Sequence, residues 1–243
     1  MEGIAKTFLP GGTVRRPLMG LTILLVEDSR YCSEAVRLMS QRSGARLRRA
    51  DCLKSARRHL AIYRPDVVMI DIGLPDGSGV DLICELGQAP TLAPAIVALS
   101  GDDDGSFRDK ALEAGASCFL TKPLQDIASF QKIIKSVVEE DHDPRPFVPQ
   151  IVGKPLKLDR RAFWDDLLQV GKLLTSALSQ RDQKELCYLA QFTRSVAQTA
   201  QDHELMDGAS AFLARLKGGD RWQASGERVL EMINRRLAEP QTI

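Results

Sequence analysis

The sequence is short of the features that would place it in several large classes. Of its 243 residues five are cysteines, Cys32, Cys52, Cys84, Cys118 and Cys187, and no two stand in a CxxC pair. Such scattered thiols support neither a zinc site nor a disulfide frame, and free cysteines in a reducing cytosol are expected. No apolar run approaches the roughly 20 residues needed to span a membrane. The start, Met1 to Arg16, lacks the apolar centre of a signal peptide. Its Gly, Pro and Arg content reads as a flexible tail over residues 1–19. Charge of one sign is not in excess: 33 Lys and Arg stand against 32 Asp and Glu, for a net charge of +1. That balance asks for neither nucleic acid nor an anionic membrane. What remains is a cytoplasmic protein, 44% hydrophobic and 27% charged, with the length for two modest domains or one large one.

The most informative stretch runs from Val67 to Gly79, where the apolar Val67-Val68-Met69-Ile70 stops at Asp71 and Gly73, Pro75, Gly77 and Gly79 follow. A buried parallel strand reads as a continuous apolar run, and α/β proteins place chemistry at the C-terminal ends of such strands. Taken alone, Asp71 reads equally well as an acid capping a turn. Four more short strands surround it in sequence: Thr22 to Val26, Ala45 to Ala50, Ala95 to Leu99 and Cys118 to Leu120. Arg46, Arg48 and Arg49 suit the second of these to a sheet edge. Helical spacing falls between them, over residues 30–43 with Ser29 as N-cap, then 52–63, 80–86, 107–114 and 124–138. Strands alternating with helices imply a doubly wound parallel sheet whose strand C-termini share one edge.

Read in order, those strand ends carry Glu27 and Asp28, Asp71, Ser100, and Lys122. Carboxylates gathered there suit Mg²⁺, which takes few protein ligands and keeps waters and a phosphate oxygen. Metal and Lys122 would neutralise a phosphoryl group moving onto Asp71, since positioning and electrostatics dominate such transfers. Ser100 would donate to the new phosphate.

On Val26-Glu27-Asp28-Ser29, Met69-Ile70-Asp71 through Gly79, Leu99-Ser100-Gly101, Gly115-Ala116 and Phe119-Leu120-Thr121-Lys122-Pro123, residues 22 to about 138 resemble the receiver domain of two-component response regulators. The resemblance implies a flavodoxin-like fold over residues 20–139, with Asp71 as phosphoacceptor. It implies Mg²⁺ held by Glu27, Asp28 and Asp71, with the Gly73 carbonyl completing the protein's share. It also implies Ser100 and Phe119 as a switch pair, and a cis peptide bond between Lys122 and Pro123. The partner it implies is a histidine kinase or phosphotransfer protein. No enzyme activity is expected beyond accepting, and hydrolysing, the receiver's own aspartyl phosphate.

From residue 140 to 159 prolines and glycine break any regular pattern, as a linker does. His142 falls within it and reads as a solvated residue. Residues 160–239 then read as an all-α bundle of four helices, about 160–179, 183–200, 203–217 and 220–237, with Asp182, Asp202 and Asp220 as N-caps. Trp164, Leu167, Leu168, Leu174 and Leu178 are expected to line the first of them. On the second, Leu186, Leu189, Ala190, Thr193, Val196, Ala197 and Ala200 share one face. Gln191 points almost opposite, flanked by Cys187, Arg194 and Gln198, a polar face expected in solvent.

Over Ala177-Leu178, Asp182, Leu186, Leu189 to Ala197, Leu205 and Ala209 the bundle resembles a histidine phosphotransfer (HPt) domain. In that family an exposed His follows the Ala, then a basic residue and a Gly. Here Gln191 holds the His position, Arg194 keeps the basic charge and Ser195 replaces the Gly. An amide does not carry phosphate as imidazole does, so transfer through this helix is expected to be absent. His203 falls outside the motif. The expectation is a response regulator whose helical domain is a non-catalytic protein-binding output, engaging another receiver, a kinase or a second copy of itself. The alternative is a DNA-binding transcriptional regulator using Arg215, Lys217, Arg221, Arg228, Arg235 and Arg236. Asp207, Asp220, Glu227 and Glu231 interleave with these cations and break up any basic face. A catalytic output is disfavoured, because no convergent acidic, His or Gly-rich set is present in the bundle.

Overall fold

The computed structural model describes residues 16–88, 93–101, 105–124, 126–138, 158, 160–219 and 221–238. In chain order the first half runs β1 (Thr22–Val26), α1 (Arg30–Ser43), β2 (Arg46–Ala50), α2 (Leu53–Ile62) and β3 (Val67–Asp71). It continues through β4 (Gly73–Leu74), β5 (Gly77–Ser78), α3 (Gly79–Gly87), β6 (Ala95–Ser100), α4 (Gly105–Glu113), β7 (Cys118–Thr121) and α5 (Ile127–Val138). Five strands form a parallel sheet in the order β2-β1-β3-β6-β7, so the arginine-bearing β2 is an edge.

Side chains alternate across these strands, and each set meets its own helices. Leu24, Val26, Val68, Ile70 and Ala98 pack with Ala56, Leu82, Ile83 and Ala111 of α2, α3 and α4. Leu25, Met69, Val97 and Leu99 pack with Val36, Met39, Phe130 and Ile134 of α1 and α5. Both faces are covered, which is why β3 reads as an unbroken apolar run.

Several local expectations change. Leu18, inside the stretch read as a flexible tail, is fully buried among the α1 and α5 side chains, and its amide donates to the Ser43 carbonyl at 2.9 Å. The helix expected from Leu124 starts at Ile127, where the Asp126 carboxylate accepts from the Ser129 amide. The Gly-rich turn after Asp71 pairs with itself as the short antiparallel β4–β5 ladder. The acidic run Asp102 to Asp104, and the linker with His142, lie outside the described residues apart from Leu158.

The second half is α6 (Arg160–Gln180), α7 (Gln183–Thr199), α8 (His203–Gly218) and α9 (Gln223–Ala238). Asp182 and Asp202 cap α7 and α8 by accepting from the Glu185 and Leu205 amides, while Asp220 is outside the described residues. His203 opens α8. The core holds Phe163, Leu167, Leu174, Leu186, Leu189, Val196, Phe212, Leu216, Val229 and Ile233. Leu168 is not in it: one residue past Leu167, it turns outward and is 47% exposed. Among the described residues no helix is long and apolar enough to cross a membrane.

The two halves share packed surface. Tyr31 of α1 belongs to the bundle's core cluster, with its ring 5.5 Å from that of Phe163. Leu158 touches both the bundle core and the α1/α5 side of the sheet.

Candidate functional site

Parallel pairing fixes the site before any side chain is considered. Val26 lies opposite Ile70, Asp71 opposite Leu99, and Ser100 opposite Thr121. The residues that follow β1 and β7, and those that end β3 and β6, therefore emerge along one edge. Gly79 allows the chain to turn back tightly there, since a Cβ on it would lie 2.0 Å from the Asp71 carbonyl oxygen. Asp76, in the same turn, accepts from the Leu53 and Lys54 amides at 2.8 and 2.9 Å and so caps α2.

At that edge Lys122 is 4% exposed and its ammonium sits 2.6 Å from Glu27 Oε2 and 3.0 Å from Asp71 Oδ2. Glu27, Asp28 and Asp71 each offer a carboxylate oxygen within 4.8 Å of the others. Three carboxylates against one lysine leave negative charge uncompensated in a site largely withdrawn from water. Burial accordingly pushes the Asp71 carboxyl up to about 7, despite Lys122 and a Gly73 backbone hydrogen bond. Burial and the neighbouring Asp71 push Asp28 up to about 6. Glu27 is raised as well, again chiefly by burial. Burial works against the Lys122 ammonium, but Asp71 and Glu27 outweigh it and hold its pKa well above the usual lysine value. An oxygen-only, electron-rich donor set of this kind fits a hard divalent cation.

Ser100 and Phe119 are both buried, Phe119 in the cluster shared with α2, α3 and α4. The Lys122–Pro123 peptide bond is cis.

The polar face of α7, expected in solvent, lies instead against this edge. The Tyr188 hydroxyl donates to Asp28 Oδ2. The Arg194 guanidinium donates to the Gly101 carbonyl, and Lys122 Nζ is 3.5 Å from Ser195 Oγ. Gln191 Oε1 lies 4.0 Å from where a Cβ on Gly73 would be. Beside them, Asp166 of α6 is only 2% exposed and accepts from Ser29 Oγ at 2.7 Å and from the Tyr31 and Arg30 amides at 3.0 and 3.1 Å. It places a carboxylate at the N-terminus of α1, where the helix dipole favours negative charge. Cys32 Sγ contacts Thr199 Oγ1 at 3.3 Å.

The sequence does not mark Tyr188 and Asp166 as site residues, and it marks Ser195 only as the residue in place of the HPt motif's Gly. Tyr188 and Ser195 also border the Gln191 face, one turn to either side.

Residues 23–135 match the response regulator receiver domain family. Among curated proteins, the KDP operon transcriptional regulatory protein KdpE of Escherichia coli is 34% identical over 101 residues, 42% of this chain and 44% of that protein. The cell cycle transcriptional regulator CtrA of Caulobacter vibrioides is 30% identical over 103 residues, again 42% of this chain and 44% of that protein. The chain thus spans less than half the length of these relatives. Among solved structures, the receiver domain of a Pseudomonas aeruginosa sensor histidine kinase, with magnesium in its active site cleft, is 27% identical with a TM-score of 0.45, covering 49% of this chain and 98% of that one. A CheY-like receiver domain from Methylobacillus flagellatus is 29% identical with a TM-score of 0.44, covering 48% of this chain and 98% of that one.

Proposed function

We propose that this protein, whose residues 23–135 match the response regulator receiver domain family, is a response regulator of two-component or phosphorelay signalling, phosphorylated on Asp71 by a histidine kinase or phosphotransfer protein. The observation that carries the reading is the buried Lys122 ammonium held against both Glu27 and Asp71. An Asp71 carboxylate oxygen attacks the phosphorus of a phosphohistidine. The O–P bond forms as the P–N bond breaks, and the imidazole leaves with the electron pair and takes up a proton. Lys122 offsets charge on the incoming group, and Ser100 donates to the phosphate once it is in place. Glu27, Asp28 and Asp71, with the Gly73 carbonyl, would hold Mg²⁺, which would supply further positive charge. Phosphorylation then shifts a two-state arrangement that involves Ser100 and Phe119.

The helical domain is read as a non-catalytic, HPt-like module with Gln191 in place of the phosphorylatable His. Its output is protein binding. A DNA-binding output is suggested by the names of the relatives, which this chain matches only through its receiver half. Two of the cations such a surface would use, Arg235 and Arg236, are ion-paired with Glu204 and Asp202.

The test is incubation with acetyl phosphate and Mg²⁺, read by intact mass. A hydroxylamine-sensitive phosphate is expected on the wild type and absent from Asp71→Asn. A phosphate that persists in that variant would move the acceptor elsewhere.

A further inference from the structure

The α7 contacts fall on groups that the proposed phosphorylation also needs. Asp28 is one of the carboxylates assigned to the cation, yet one of its oxygens accepts from Tyr188. Lys122, assigned to the phosphoryl group, faces Ser195 as well as Glu27 and Asp71. The Gly101 backbone, next to Ser100, is held by Arg194, and a Cβ at Gly101 would lie 3.1 Å from Ser195 Cβ. Helix and sheet edge are in van der Waals contact directly at the acceptor's rim. A phosphodonor approaching Asp71 along the strand ends meets α7 first.

This contact is built into the fold. Asp166 is a bundle carboxylate whose described hydrogen bonds, three in all, run to the receiver around the start of α1. Tyr31 completes the bundle's apolar core from the receiver side. A buried carboxylate is costly unless hydrogen-bonded, and the receiver supplies the three donors described for Asp166.

From these contacts we infer that α7 is an intramolecular cap on the phosphoacceptor edge: the bundle binds its own receiver through Tyr188, Gln191, Arg194 and Ser195, and a divalent cation and a phosphodonor reach the site only as that face withdraws. The surface partner of the bundle is therefore a receiver active-site edge, and in the resting protein it is the one in the same chain. Cation and cap compete for the Asp28 carboxylate, so each weakens the other by the same factor. Phosphorylation releases the α7 face and the receiver edge together, which couples Asp71 to the output.

The inference rests on Asp71 as acceptor, and the experiments separate the two. In the full-length chain, Tyr188→Phe removes one hydroxyl and leaves the ring. Its Mg²⁺ affinity by isothermal titration calorimetry is expected to rise by about five-fold or more, with a similar gain in the rate of phosphorylation by acetyl phosphate. Hydrogen exchange in α7 of the wild type is expected to speed up on adding Mg²⁺.

A second variant locks the cap. The 3.1 Å separation is shorter than the roughly 3.5–4.5 Å of a disulfide, so a small outward shift of α7 brings the pair into range, and Gly101→Cys with Ser195→Cys is expected to cross-link on oxidation. The oxidised form should lose Mg²⁺ binding and phosphate acceptance, and reduction of the same sample should restore both. Equal Mg²⁺ affinities for the wild type and Tyr188→Phe, or an oxidised pair that binds and accepts like its reduced form, overturn the cap and leave Asp71 as acceptor. Absence of Asp71 phosphate from wild type and Tyr188→Phe alike overturns the acceptor reading instead.

Discussion

Two residues carry opposite kinds of constraint at the site. Gly79 has no room for a side chain, since its Cβ would fall 2.0 Å from the Asp71 carbonyl oxygen. Gly79→Ala must displace backbone at the end of β3, and a stability loss of about 2–3 kcal/mol is expected in urea unfolding. Asp71 instead carries a buried charge. Its carboxyl is pushed up to about 7, mainly by burial. A group raised in this way contributes stability that is full below its unfolded value near 4, and that contribution is lost as pH rises through about 7. Without divalent cation, Asp71→Asn should therefore be more stable than the wild type at about pH 8, by on the order of 1–2 kcal/mol. The advantage should shrink towards about pH 5. Paired urea melts at the two pH values check this, and a pH-independent difference would refute the titration of Asp71.

At the scale of elements, the helix starts do more than end a chain of hydrogen bonds. Asp202 caps α8 through the Leu205 amide and also pairs with Arg236 of α9, which is itself buried. Arg236 and the cap hydrogen bond outweigh burial and hold the Asp202 carboxyl below the usual range. Its contribution is present above about pH 4 and lost as pH falls through the lowered value. Asp202→Ala removes cap and ion pair together, with Glu204 left as a second partner for Arg236. A cost of about 2–3 kcal/mol is expected, read from the bundle's tryptophan emission during unfolding. The sequence identified Asp182 and Asp202 as caps because a local acceptor three residues before an amide is a local event. Asp166 could not be read in this way, because the helix it serves, α1, lies more than a hundred residues earlier in the chain.

At the scale of the whole molecule, the receiver and the bundle share packed surface. Both tryptophans, Trp164 and Trp222, lie in the bundle, whereas circular dichroism sees all helices. Tyr31 belongs to the receiver by sequence and to the bundle by packing. Tyr31→Ala should therefore lower the unfolding free energy read by tryptophan emission as well as that read by circular dichroism, by about 2–3 kcal/mol in each. A shift in only one signal would mean the two halves unfold independently.

The alternation of strand and helix, and the acidic and basic residues at the strand ends, were determined by the sequence alone, since a parallel sheet puts every strand C-terminus on one edge whatever surrounds it. That is why Glu27, Asp28, Asp71, Ser100 and Lys122 could be grouped before their distances were known. The α7 face was different. Periodicity separated its apolar side from the side carrying Gln191 and Arg194, but a polar helix face has the same pattern whether it meets water or another polar surface. Only the tertiary structure turned it towards the site, with Tyr188 on Asp28 and Asp166 at the head of α1. Those contacts join residues more than a hundred positions apart, through hydrogen bonds that leave no periodic trace in the chain.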